Sequence, residues 1–179
     1  VEIEVFVHGA LCMCYSGQCY LSSVIGRRSG NRGQCAQPCR LPYGYGRFES
    51  TRYPLSLKDN CLVGELDELR RMGVASLKIE GRMKRPEYVA IVTRAYRTVL
   101  NGGQLTQGDL QELESAFSRQ GFTDGYFQGR TGADMFGRRQ EGEDTSSLFA
   151  SARATYEQGE AQRIGVKFYA ILQSGRPAQ

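Results

Sequence analysis

The sequence predicts an α/β fold: the C-terminal portion of a (β/α) TIM-like barrel, then a helical extension and the start of a further β domain. Three observations carry this. The opening residues VEIEVFVH alternate with a period of two, with Val1, Ile3, Val5 and Val7 on one face and Glu2, Glu4, Phe6 and His8 on the other. Downstream, strand-like and helix-like stretches alternate in the rhythm that builds parallel sheets. Three strands are too few to close a barrel, and the chain starts on Val1 directly in a strand pattern. We therefore expect a piece of a longer protein, with the N-terminal part of the barrel missing from this chain.

Gly9 ends the first strand and opens a long loop, in which LSSVI at 21–25 forms one short turn or strand. Residues 26–47 are too rich in Gly and Pro for regular structure. YPLSLKD then reads as a short strand, with Asp59 as N-cap of a helix that carries Leu62, Val63, Leu66 and Leu69 and stops at Gly73. VASLKIEG at 74–81 is the next strand, with Ala75, Leu77 and Ile79 on its apolar face. Arg85-Pro86 opens a second helix, because Pro tolerates a first-turn position that needs no N–H. Its apolar stripe is Val89, Val92, Tyr96, Val99 and Leu100, closed by Asn101-Gly102-Gly103. Thr106 to Asp109 resembles a capping box before a helix with Leu110, Leu113 and Phe117 inside. FTDGYFQGRTG and MFGRRQEGED are expected to be loops packed on the barrel. Residues 145–157 are weakly helical, and VKFYAILQSG at 166–175 is strand-like. The predicted division is 1–101 for the partial barrel, 102–160 for the extension and 161–179 for the first strand of a further β domain.

The 179 residues are 40% hydrophobic and 23% charged with a net charge of +4, an ordinary globular composition that permits an anionic partner without demanding one. No run approaches the roughly 18 apolar residues of a membrane span. All six cysteines fall between Cys12 and Cys61, a clustering that cysteines used as small core residues would not show. Between Glu4 and Glu49 there is no carboxylate, whereas Arg27, Arg28, Arg32, Arg40 and Arg47 all lie there. Confinement to one third of a chain of this size argues against a disulfide framework, and a cytoplasmic location is expected.

The spacing C-x-C-x4-C-x15-C-x3-C-x21-C admits zinc on Cys14, Cys19, Cys35 and Cys39, or an iron–sulfur cluster on four thiolates drawn from several loops. Spacing alone leaves the two level. The arginines suit phosphate or carboxylate recognition, against the plainer reading of a solvated basic loop. His8, Lys58 and Glu80 fall near strand ends, where barrel active sites lie. Lys78 and Glu80 flank Ile79 and would pair on one face. There is no Ser-His-Asp order, no HExxH helix and no P-loop.

The blocks EVFVHGALCMCYSGQCYLSS, RSGNRGQCAQPCR, SLKDNCLVGELDEL and SLKIEGRMKRPEYVAIVTRAYR, with FSRQGFTDGYFQG further on, closely resemble the peptidase U32 family, also called collagenase-like proteases. The resemblance implies either collagen-type proteolysis or hydroxylation of pyrimidines in ribosomal or transfer RNA, or of an aromatic ring in ubiquinone synthesis. It implies a [4Fe–4S] cluster on Cys12, Cys19, Cys35 and Cys61, with Cys39 in reserve, and prephenate as a source of the hydroxyl oxygen. It also marks Glu4, His8, Lys78, Glu80 and Arg82 as catalytic candidates, with Arg27, Arg28, Arg32 and Arg40 as anion contacts.

The leading expectation is thus an iron–sulfur-dependent hydroxylase acting on RNA or a related aromatic small molecule. The alternatives are a peptidase acting on collagen or another peptide, and a zinc-stabilised RNA-binding module whose Tyr43, Tyr45 and Phe48 stack on bases.

Overall fold

A computed structural model of the chain describes residues 1–15, 17–44, 52–139 and 144–157. The expected terminal strand at 166–175, and Tyr45, Arg47 and Phe48, lie outside these residues.

The fold is mixed α/β, built on an open four-stranded sheet. β1 (Glu4–Ala10) runs parallel to β3 (Ser76–Ile79) and antiparallel to β2 (Asp59–Cys61). β4 (Phe122–Thr123) lies parallel to β2, so the sheet order is β3-β1-β2-β4. The wholly parallel sheet suggested by the βα rhythm is therefore corrected to a mixed one. The reason is topological: the cysteine loop leaves β1 and returns at the same end. The chain then re-enters the sheet beside β1 running the opposite way, as only an antiparallel neighbour can without a crossover. Asp59, expected as an N-cap, is instead a buried residue of β2. After a 3-10 turn, Val63–Glu65, the helix α2 spans Leu66–Arg71.

LSSVI resolves as a short helix, α1 (Leu21–Gly26). The long helix α3 (Pro86–Leu100) starts on the expected proline. It buries Tyr88, Ile91, Val92, Ala95 and Tyr96, while Val89 of the expected stripe stays exposed. That buried arc is wide because α3 packs on the strands and also on α4 (Gln107–Ala116) and α5 (Ser146–Glu157). Thr106 closes the expected capping box with Asp109. Leu113 is fully buried, and Leu110 is more exposed than its place in the pattern suggested. The core joins Val7, Leu62, Leu66, Leu69, Leu113 and Phe149 to the α3 residues. Each large side chain buried this way contributes roughly 1.5–3 kcal/mol.

Candidate functional site

The strand registers gather the chemistry-bearing segments at one end of the sheet. Ala10, the last residue of β1, pairs with Asp59, the first of β2, and Asp59 pairs in turn with Phe122 at the start of β4. His8 pairs with Ile79, the last residue of β3. The cysteine loop, the turn after β3 and the segment leading into β4 therefore meet at that end. Gly9 makes the junction tight: its φ is +117°, and a Cβ there would stand 2.8 Å from Glu80 Cβ and from the Glu80 carbonyl oxygen. Only glycine meets both demands.

Among the described residues, few bonds tie the cysteine loop to the body. Arg40 is the clamp: it donates to the Leu57 carbonyl at 2.6 Å, to Ser56 Oγ at 3.4 Å and to the Leu11 carbonyl. Inside the loop, the Ala36 amide donates to Ser22 Oγ at 2.9 Å and Arg28 Nε to the Gln34 carbonyl at 3.0 Å. The Gln37 amide donates to Cys35 Sγ at 3.3 Å. Arg27, Arg28 and Arg32 remain exposed. Arg40, predicted as an anion contact, spends its guanidinium on protein oxygens. Tyr43 donates its hydroxyl to the Pro38 carbonyl.

Cys12 and Cys14 are exposed, and Cys19, Cys35, Cys39 and Cys61 are half-buried. Burial pushes the Cys39 thiol up; nearby Arg40 pulls it down, and the charges of Cys12, Cys35 and Cys19 push it up further. These four sulfurs thus share one electrostatic neighbourhood. Cys61 stands apart on β2 opposite His8, its thiol raised by burial, with the Tyr96 hydroxyl 3.9 Å from its sulfur. Among the described residues no three potential ligands are drawn together in ready metal-binding geometry. The donor set, soft thiolates beside a guanidinium, still fits an iron–sulfur cluster or zinc by its chemistry.

His8 is 1% exposed and packed among the rings of Tyr88, Tyr96 and Phe122. The Tyr96 hydroxyl donates to the Val7 carbonyl at 2.7 Å and accepts from the Leu62 amide at 3.1 Å. Its one proton is then spent, so His8 Nδ1, 3.3 Å away, must donate to it. That fixes the tautomer and leaves His8 Nε2 as a buried acceptor with no partner. Burial, and secondarily the charge of Lys84, lowers the imidazole to about 4, so it is neutral at ordinary pH.

The remaining candidates divide. Glu80 accepts from the Arg82 amide at 2.8 Å, and an Arg82 nitrogen lies 3.3 Å from where a Gly33 Cβ would stand, so both belong to the cysteine-loop end. Lys78 does not pair with Glu80. It pairs at 2.9 Å with Glu4, which also accepts from Ser76. The parallel register brings Glu4 against Ser76, toward the other end of β1, and alternation puts Lys78 on the same face as Glu4.

Sequence reasoning gave no role to a second constellation at the same end. Arg119 Nη1 donates to both Asp59 oxygens at 2.6 Å, and both side chains are buried. Lys84 Nζ lies 2.6 Å from the Phe117 ring centroid, with the guanidinium carbons of Arg139 at 4.6 Å and Arg119 at 4.9 Å. Any two of these cations are thus within about 10 Å, where repulsion is roughly 2 kcal/mol at an effective dielectric near 20. Burial lowers the Lys84 ammonium to about 7; Asp59 opposes this, and Arg119, Arg139 and Arg40 add to it. Met83 and Gln120, the neighbours of Lys84 and Arg119, have φ of 64° and 61°, a strained conformation for residues with a side chain. GRMKRPEY and FSRQGF were visible as sequence blocks, but Asp59 lies far from both in the chain and no spacing rule joins them.

Residues 1–136 match Peptidase family U32. The chain is 48% identical over 118 residues to the 23S rRNA 5-hydroxycytidine C2501 synthase of Escherichia coli, covering 63% of this chain and 18% of that protein. It is 38% identical over 158 residues to tRNA hydroxylation protein P1 of Bacillus subtilis, covering 76% and 37%. It is 34% identical over 183 residues to a collagenase of Porphyromonas gingivalis, covering 96% and 49%. The chain thus spans less than half the length of each of these relatives. No solved structure matches.

Proposed function

The chain belongs to peptidase family U32, and from that premise we propose that it is part of an enzyme that hydroxylates pyrimidines in RNA, with an iron–sulfur cluster on its cysteine loop. The observation that carries the reading is the meeting of the cysteine loop, the turn after β3 and the segment leading into β4 at one end of the sheet, in a chain whose relatives include named rRNA and tRNA hydroxylation proteins.

Cys12, Cys19, Cys35 and Cys61 would hold a [4Fe–4S] cluster, with Cys39 as the alternative fourth ligand. Bound there, it supplies one-electron chemistry. Arg27, Arg28 and Arg32 give the loop an exposed cationic surface for the phosphates of an RNA strand. Glu80 fixes the backbone at Arg82, whose guanidinium borders the loop at Gly33. Neutral His8 offers an acceptor nitrogen at the floor of the site. Glu4 and Lys78 act as a pair on the sheet face. In this reading the parallel pair of β1 and β3 is part of a (β/α) barrel.

The peptidase reading draws on the collagenase relative and on Cys61 standing opposite His8. It is the weaker one, because burial raises that thiol and a thiol kept protonated is a poor nucleophile. The test is mass spectrometry of rRNA and tRNA nucleosides from cells lacking the gene and from cells complemented with the full-length protein. A pyrimidine one oxygen heavier should vanish and return. Unchanged RNA with restored peptide cleavage would overturn the proposal.

A further inference from the structure

We propose that Lys84, Arg139 and Arg119, gathered around Phe117, form a binding site for an oxyanion, a carboxylate or phosphate group of a small ligand. The inference goes beyond the reading above and needs neither a cluster nor RNA. Its basis is an imbalance of charge. Among the described residues Asp59 is the carboxylate that faces the group, and Arg119 already takes both of its oxygens. Among the described residues neither Lys84 nor Arg139 pairs with a carboxylate.

Lys84 is half-buried, and its neighbours there are rings: Phe117, and Tyr88 with its centroid at 5.4 Å. A ring offers a cation only part of what it loses on leaving water, and three cations around one ring also repel each other. Arg40 adds its field from the cysteine-loop side, while its own donors are taken by carbonyls. The group is graded in depth, from exposed Arg139 through half-buried Lys84 to buried Arg119 and Asp59. That grading suits one end of a compact anion entering from the rim, with Phe117 as a flat wall. The anion would supply the charge that the described residues omit. It would also account for left-handed backbone beside both Lys84 and Arg119.

The test uses the full-length protein as purified. Thermal unfolding is followed while inorganic phosphate or malonate is titrated, with chloride at matched ionic strength as reference. Saturable stabilisation by phosphate, by malonate or by both supports the site, and the stronger anion says whether it takes phosphate or carboxylate. Lys84→Gln and Arg139→Gln should each weaken apparent affinity about tenfold, the effect of losing one charge-assisted contact. Arg71→Gln, on α2 and paired with Glu68, should leave it unchanged. Arg139 is exposed, so its variant keeps the test valid should Lys84→Gln not fold. No stabilisation by either anion beyond chloride, or variants that bind like the parent, would overturn the proposal.

Discussion

The sheet with α3 and the cysteine loop are neighbours built on opposite principles. In the first, side chains do the joining: Tyr96 alone reaches Val7, Leu62 and His8 across three segments, and the buried arc of α3 packs on the strands, α4 and α5. In the second, apart from Ser22 and Pro38, the described residues from Leu11 to Tyr43 are exposed or half-buried, and much of their hold on the body rests on Arg40. The difference teaches where order comes from. The core is held by its own side chains, whereas the loop gathers thiols and guanidinium groups that, under the proposed function, take their partners from something bound.

The comparison can be broken hardest at the seam between the two regions. Asp59→Ala leaves the buried Arg119 guanidinium without its partner and should cost about 3–5 kcal/mol in denaturant unfolding. Arg40→Met should release the loop without dissolving the core. Losing its charged hydrogen bonds to carbonyls costs about 1.5–3 kcal/mol, and amide exchange should quicken across 11–40 while α3 stays protected.

A gentler probe is pH. His8 has a folded pKa near 4, below the usual 6.5, so the unfolded chain binds more protons between those values. Stability contributed by neutral His8 is full above about pH 6.5 and is lost as pH falls toward 4, at up to about 1.4 kcal/mol per pH unit. His8→Gln should flatten that slope. Smallest of all, Lys78→Met breaks the exposed pair with Glu4 and should leave the unfolding midpoint unchanged within error.

The sequence shows the same division. Periodicity found β1, β3 and α3, because each buries a face whose spacing is written locally, and the cap of α4 was legible as the local motif from Thr106 to Asp109. It misjudged Asp59, since an acidic residue before an apolar run looks like a helix cap until Arg119, sixty residues on, is seen to neutralise it. It also paired Lys78 with Glu80, where the parallel register brings Glu4 nearer. The cysteines and arginines of the loop were legible as a candidate site because their clustering is compositional. The group formed by Lys84, Arg119 and Arg139 was not, because only the fold brings its members around Phe117.

Whether the loop is completed by a metal cluster is decided most directly by analysis of iron, sulfide and zinc in the full-length protein purified without oxygen. The account predicts about four iron and four sulfide per chain, lost in Cys12→Ala, Cys19→Ala and Cys35→Ala. Comparing Cys61→Ala with Cys39→Ala then identifies the fourth ligand. One zinc per chain with no sulfide would contradict it.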